Sequence, residues 1–191
     1  DIEAVYSIYR NAIKDNKDNI LGAYVAAISA RQFYTNLKEV DELIATVKYA
    51  GEMAAIKSLR LNYAKAEATQ AGKMFVDFTG YTVDGKASKL SDYVGKGKYV
   101  LVDFWSPWCG PCKREIPNIK KVYDQYGGEK FEVVSIAVWE REPVKVTMDT
   151  AAELGMNWPQ INNAGREAAE LYGVEGIPHL VLFGPDGTIL K

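Results

Sequence analysis

Cysteine and histidine are both scarce in this chain, and their scarcity limits the sites that it can build. Its 191 residues include two cysteines, Cys109 and Cys112, and one histidine, His179. Two cysteines are too few to staple a small secreted fold together. They also leave a structural zinc site short of ligands, because such a site needs four. The sequence therefore predicts no metal site, and the cysteine pair is better explained by chemistry than by framework.

Long apolar runs and a strong net charge are absent as well. No stretch of 18 or more apolar residues occurs, so no membrane-spanning helix is predicted. The 23 basic and 25 acidic residues give a net charge of −2, which argues against nucleic acid as a partner. No secretory leader pattern opens the chain. Because Asp1 is not an initiator methionine, we expect a processed or trimmed form.

The pattern of apolar residues divides the chain into two regions. Residues 1–71 show helical spacing, for example at Ile2, Val5, Tyr9 and Ala12, and predict a small all-helical region of four helices. Asp18 is the predicted N-cap of the second helix. Asn36 with Glu39 predicts a variant of the capping box at the third.

Residues 72–191 alternate between strand and helix patterns, which predicts an α/β domain with a parallel core in its sheet. Asp84-Gly85 indicates a hairpin turn. The predicted buried strands are 98–105 and 131–138, the predicted helices are 109–126, 144–155 and 164–172, and a short strand or loop around Pro159 and a hairpin over 179–190 complete the domain.

The motif Cys109-Gly110-Pro111-Cys112 lies between a strand pattern and a helix pattern. A sulfur at a helix N-terminus meets unpaired backbone N–H groups and the positive end of the helix dipole, and both favour the thiolate. We therefore predict a solvent-facing nucleophile at Cys109 and a more shielded resolving thiol at Cys112. Such a pair exchanges thiols with disulfides.

Three other functions use the same residues differently. Ser106 to Cys109 loosely fits the S/T-x-x-C pattern of peroxiredoxins, although Val102 stands where a proline is expected, so a thiol peroxidase is one alternative. A copper-binding or partner-binding module with incidental cysteines is another. An inert structural disulfide is the third, and the bridge would restrain little of the unfolded chain because it encloses only two residues.

Phe104-Trp105, Trp108 to Cys112 and Gly176-Ile177-Pro178 together resemble the thioredoxin superfamily. Over residues 74–191 the chain is most similar to the TlpA/ResA-like thiol–disulfide oxidoreductases of bacterial envelopes. The resemblance implies a thioredoxin-like fold with an N-terminal β-hairpin and an inserted helix within 139–163. Residues 1–71 resemble the helical region that precedes this domain in Bacteroidetes members.

The resemblance also implies roles for single residues. Pro178, after Ile177, matches a cis-proline that faces the cysteine motif. Asp103 matches a buried acid that accepts the proton of Cys112, and burial should raise its pKa. Glu115 matches a second acid of the ResA-like branch. The implied substrate-binding residues are Trp108, Gly110, Pro111, Ile177 and Pro178.

The remaining aromatic residues are assigned to structure. Trp105 is expected to support the motif from below, while Trp139 and Trp158 are expected in the core. His179 is expected to be structural or half-exposed.

Partners and location are likewise implied by the resemblance. No cofactor is expected beyond the redox-active Cys109–Cys112 disulfide. Protein thiols and disulfides are the expected substrates, and a membrane-bound thiol protein is the expected electron donor. Residues 1–71 are a candidate docking region for a partner. The implied location is the periplasm or the cell envelope, with a lipid anchor on the full-length form.

Overall fold

The computed structural model describes residues 2–191, which divide into two compact units between Glu67 and Ala68. The sequence places this boundary a few residues later, between 71 and 72. The first unit contains the four helices that the spacing predicts, and they are α1 (Ile2–Asp15), α2 (Ile20–Phe33), α3 (Leu37–Thr46) and α4 (Ala54–Ala68). No helix within residues 2–191 combines the length and the apolar character needed to cross a bilayer.

Side-chain caps fix where two of these helices begin. The Asn36 side chain accepts the N–H of Glu39 over 3.0 Å, and the Glu39 carboxylate accepts the N–H of Thr35 over 2.7 Å, so the predicted capping-box variant is confirmed. The cap predicted at Asp18 is wrong. Asn19 caps α2 instead, because its extended backbone lets its side chain accept the N–H of Leu21.

The residues that α2 contributes to the core of the helical unit are small, namely Ala23, Ala26 and Ala30. Such residues let neighbouring helices approach closely. Ile56 and Val40 are among the largest fully buried side chains of the protein. Two of the apolar residues whose spacing predicts α1, Ile2 and Val5, are exposed. The buried members of this core are Ile13, Ala23, Ala26, Ala30, Val40, Leu43, Val47, Ala50, Ile56 and Leu59.

The second unit is a mixed sheet flanked by helices, as predicted. Its elements in order are β1 (Thr79–Tyr81), β2 (Ala87–Lys89), β3 (Tyr99–Trp105), α5 (Gly110–Tyr126), β4 (Phe131–Ala137), α6 (Val144–Glu153), β5 (Gln160–Ile161), α7 (Gly165–Leu171) and β6 (His179–Phe183). The main sheet has the order β5-β4-β3-β6. β3, β4 and β5 run parallel and β6 is antiparallel to β3.

β1 and β2 form the predicted hairpin, which bends back at Asp84-Gly85 and lies against the edge of the main sheet. Tyr81 and Asn162 exchange two backbone hydrogen bonds of 2.8 and 2.7 Å there. Gly80 allows this approach. A Cβ at that position would lie 2.5 Å from the Ile161 side chain, closer than real Cβ atoms come to other groups.

The alternation of β3 assigns its residues to the two faces of the sheet. Val100, Val102 and Phe104 pack into the cluster that includes residues of α7 and of the hairpin region. Leu101 and Trp105 pack into the cluster that contains Cys112 and other buried residues of α5. Asp103 lies between Leu101 and Trp105 in this alternation, so its side chain is on the face that α5 covers.

Candidate active site

Cys109 is the N-cap residue of α5, where the chain turns from β3 into the helix. The backbone N–H of Cys112 donates a hydrogen bond to Sγ of Cys109 over 3.1 Å. Pro111 occupies the first turn of the helix, where its missing N–H costs no hydrogen bond. The predicted sequence of strand, turn and helix is therefore confirmed, with the sulfur at the positive end of the helix dipole.

The two cysteines form a disulfide, Cys109–Cys112. Cys109 is 3% exposed and Cys112 is 1% exposed. The expected difference in shielding is small, and the expectation that Cys109 faces solvent in this oxidised state is wrong. Both cysteines pack into a cluster with Trp105 and Ile177. The two residues between the cysteines, Gly110 and Pro111, are exposed.

The Ile177–Pro178 peptide bond is cis, as predicted. It precedes β6 and brings the carbonyl oxygen of Ile177 within 3.6 Å of Sγ of Cys109. Ile177 is half-buried and Pro178 is exposed. The loop and the cysteine motif are thus in direct contact, although they lie far apart in sequence.

Asp103 is buried, 1% exposed, on the face of the sheet covered by α5. Desolvation raises the pKa of its carboxyl from the ordinary 3.8 to about 7. The hydrogen bond from Ser135 lowers this pKa in part, and the negative charge of Glu115 raises it. The predicted rise is confirmed, and a carboxyl with a pKa near neutrality can both accept and release a proton under physiological conditions.

Ser135 and Trp158 form a hydrogen-bond chain to Asp103 that the sequence reading missed. The Trp158 Nε1–H donates to Oγ of Ser135 over 2.9 Å, and the Ser135 hydroxyl donates to Oδ2 of Asp103 over 3.2 Å. All three residues are buried. The available signal in the sequence was a serine within the apolar run 131–138. In the structure, Ser135 is paired with Asp103 in the parallel register.

Glu115 lies one turn beyond Cys112 on α5 and is half-buried. One of its carboxylate oxygens accepts the side-chain N–H of Asn118 over 3.3 Å. Its charge acts on the titration of Asp103. The structure therefore brings the two predicted acids within electrostatic range of each other.

Trp108 stands beside the motif and is 39% exposed. Its Nε1–H donates to the carbonyl of Trp139 over 2.9 Å, and the Arg141 guanidinium lies 3.9 Å from the centre of its ring. The expectation that Trp139 belongs to the core is confirmed in part, because its side chain is only partly buried but packs against the core. Its backbone carbonyl also accepts the hydrogen bond from Trp108. Nothing in the sequence indicated Arg141 as a neighbour of the motif.

The other singled-out residues have structural positions. Trp105 is fully buried in the cluster with both cysteines. Trp158 is in the core, as expected. His179 is half-buried, its ring is 6.0 Å from that of Phe104, and burial lowers its pKa. Among residues 2–191, His, Cys, Asp and Glu form no group of three or more that could hold a metal ion.

Comparisons with known proteins agree with this architecture. The model of the AhpC/TSA family matches residues 71–191. The thiol–disulfide oxidoreductase ResA of Halalkalibacterium halodurans is 30% identical over 129 residues, which are 68% of this chain and 71% of that protein.

Two solved structures are similar as well. The thioredoxin domain of a thiol–disulfide oxidoreductase from Bacteroides vulgatus superimposes with a TM-score of 0.57 at 28% identity, over 64% of this chain and 86% of that one. A thiol:disulfide interchange protein DsbE from Chlorobium tepidum, described as putative, gives a TM-score of 0.57 at 28% identity, over 64% and 83%. With the disulfide at the start of α5 and the cis-proline loop against it, these matches show that the chain belongs to the AhpC/TSA family, among its thioredoxin-like thiol–disulfide oxidoreductases.

Proposed function

We propose that this protein reduces disulfide bonds of proteins in the bacterial envelope through a Cys109/Cys112 dithiol cycle. The observation that carries the proposal is the position of Cys109 Sγ, which accepts the N–H of Cys112 over 3.1 Å at the start of α5. In the reduced protein, this hydrogen bond and the helix dipole stabilise a thiolate. A stabilised thiolate is the species that attacks disulfides.

The cycle has two exchange steps. The Cys109 thiolate attacks one sulfur of a substrate disulfide, so that a mixed disulfide forms and one substrate thiolate leaves. Asp103 then takes the proton of Cys112, for which its burial and raised pKa suit it. The Cys112 thiolate attacks Sγ of Cys109, the Cys109–Cys112 bond forms, and the second substrate thiolate departs. Two electrons have passed to the substrate.

The surface around the cysteines supports a protein substrate. Trp108, Gly110, Pro111 and Pro178 are exposed around the buried pair. The Ile177 carbonyl, 3.6 Å from Sγ of Cys109, is a backbone acceptor at the point where a substrate cysteine must arrive. A polypeptide that presents an extended segment can therefore meet backbone and sulfur together.

A reductase in an oxidising compartment needs a supply of electrons. We propose a membrane-bound thiol protein as the donor, whose dithiol becomes a disulfide as Cys109–Cys112 is reduced. Residues 1–71 are the proposed docking region for a partner, and the periplasm or a lipid-anchored position at the envelope is the proposed location. The resemblance to envelope TlpA/ResA-like proteins supports these assignments, and cell fractionation of the tagged full-length protein tests the location.

Insulin reduction and a redox titration against glutathione test the proposal together. The wild type should reduce insulin, while Cys109→Ser should be inactive and Cys112→Ser should accumulate a mixed disulfide visible by mass spectrometry. A reduction potential near that of thioredoxin, about −270 mV, supports a reductase. A potential near about −120 mV, as in strong oxidants, or full activity of Cys109→Ser would contradict it.

The peroxidase alternative depends on a hydroxyl at Ser106 that serves the Cys109 sulfur. In the structure Ser106 is buried, and its hydroxyl donates to the carbonyl oxygen of Val138. That hydroxyl is therefore engaged with the residue that follows β4. No observation at the site favours peroxide chemistry over thiol–disulfide exchange.

A further inference from the structure

A cavity of about 610 Å³ lies beside the cysteine motif, on the side of Trp108. Its lining includes Trp108, Trp139, Glu140, Arg141, Asn163 and Arg166. Trp108 directly precedes Cys109, so one wall of the cavity is bonded to the residue that carries the nucleophile. Any chain that bonds to Cys109 has its neighbouring residues close to this cavity.

The aromatic wall of the cavity is held in a fixed position. The Nε1–H of Trp108 bonds to the Trp139 carbonyl over 2.9 Å. Arg141 lies over the same indole, with its guanidinium 3.9 Å from the Trp108 ring centre. The guanidinium is thereby placed without the help of a carboxylate, and its N–H groups remain able to bind an acceptor.

The charges that line the cavity are unbalanced in favour of cations. Arg141 and Arg166 are both exposed, and within residues 2–191 neither forms an ion pair. Glu140 is the one acid among the lining residues, and both of its oxygens are engaged. They accept the Thr147 hydroxyl over 2.8 Å and the N–H of Asn163 over 2.6 Å.

We propose that this cavity binds the carboxylate of an Asp or Glu side chain in the substrate protein, close in sequence to the cysteine that bonds to Cys109. Arginine guanidinium groups bind carboxylates through paired hydrogen bonds, and the indole beside them provides apolar contact for the acidic residue's stem. An extended residue spans about 3.5 Å, so an acid about two or three residues from the substrate cysteine is within reach. This inference rests on the proposed reductase function and narrows its substrate class.

Matched peptides test the proposal on the full-length, reduced protein. Each peptide carries one cysteine as a mixed disulfide with 2-mercaptoethanol, and Glu or Gln is placed at successive positions on either side. Cys109 displaces 2-mercaptoethanol, and Cys112 then releases the peptide thiolate as the Cys109–Cys112 bond forms. The rate constant for each peptide with the protein is divided by the rate constant for the same peptide with dithiothreitol. This division removes the effect that the nearby charge has on the reactivity of the peptide disulfide itself.

At one or more positions the wild type should prefer the Glu peptide by about fivefold, as expected for about 1 kcal/mol from a partly screened ion pair. The preference should fall towards unity in Arg141→Gln and Arg166→Gln, and it should shrink at high salt. Arg114→Gln is the matched control, because it removes the same charge from exposed α5 outside the cavity lining. It should keep the preference.

The outcomes separate the two proposals. Equal rates for Glu and Gln peptides at every position overturn the acid-binding cavity and leave the reductase function intact. An equal loss of preference in Arg114→Gln also overturns the acid-binding cavity, because the preference would then come from the overall positive charge near the motif. Failure of the wild type to reduce any peptide overturns both.

Discussion

Ser135 and Asp103 lie opposite each other on neighbouring parallel strands, and the serine hydroxyl donates to Oδ2 of the buried carboxyl over 3.2 Å. The indole N–H of Trp158 donates to the same serine oxygen over 2.9 Å, which leaves the hydroxyl proton free to point at Asp103. A hydrogen bond donated to a carboxyl favours its charged form. Ser135 therefore holds down a pKa that burial raises.

Replacing Ser135 tests this relationship. In Ser135→Ala, the pKa of Asp103 should rise above its value of about 7, because the stabilising donor is lost. Carbon-13 NMR of the Asp103 carboxyl in the oxidised protein measures it without interference from cysteine titration. Ser135→Thr keeps the hydroxyl and serves as the control. An unchanged pKa in Ser135→Ala would show that the hydroxyl contributes nothing to the charge state.

Glu115→Gln should move the same pKa in the opposite direction. The carboxylate of Glu115 raises the pKa of Asp103 by repulsion, so removing its charge should lower that pKa. The same NMR titration provides the measurement. Glu129 is an exposed acid outside α5. Glu129→Gln is therefore the control and should leave the pKa of Asp103 unchanged. A rise in Glu115→Gln would show that the two acids do not interact as the geometry indicates.

Asp103 should also make the stability of the oxidised protein depend on pH. Its folded-state pKa of about 7 lies above the ordinary 3.8, so between these values the folded state binds more protons than the unfolded state. Stability should therefore fall as the pH rises through this window and level off above it. The difference between the two pKa values corresponds to about 4 kcal/mol as an order of magnitude.

Asp103→Asn isolates this contribution. The amide keeps an oxygen that can accept from Ser135 but does not ionise. The free energy of unfolding of the variant should therefore increase relative to that of the wild type between about pH 4 and about pH 8. Urea unfolding at both pH values measures the gain, and other titrating groups cancel in the comparison. A constant stability difference across the range would mean that Asp103 titrates as it does in the unfolded chain.

The elements around the site could be predicted because each has a local signal. The apolar runs 98–105 and 131–138 became β3 and β4, and Asp84-Gly85 became the hairpin turn. The start of α5 followed from the motif itself. Such parallel strands can be recognised in a sequence because they are buried on both faces, so their apolar residues run almost without interruption.

The contacts between these elements could not be predicted, because they depend on register and on approach in space. A shift of one residue in the pairing of β3 and β4 would have separated Asp103 from Ser135. The family resemblance placed the loop at Ile177 opposite the cysteine motif, but no local pattern indicated that Cys109 would be buried there. The position of Arg141 over Trp108 depends on where the chain goes after β4.

Gly80 provides a test of the packing between the hairpin and the sheet edge. A Cβ there would lie 2.5 Å from the Ile161 side chain and 2.8 Å from the Asn162 carbonyl oxygen. Gly80→Ala should therefore separate the hairpin from β5 and reduce the free energy of unfolding by about 1–3 kcal/mol. Gly176→Ala is the matched control, because nothing lies within 4 Å of a Cβ at that position. Urea unfolding followed by tryptophan fluorescence measures both variants, and equal stabilities would show that the edge adjusts to the methyl group without loss of packing.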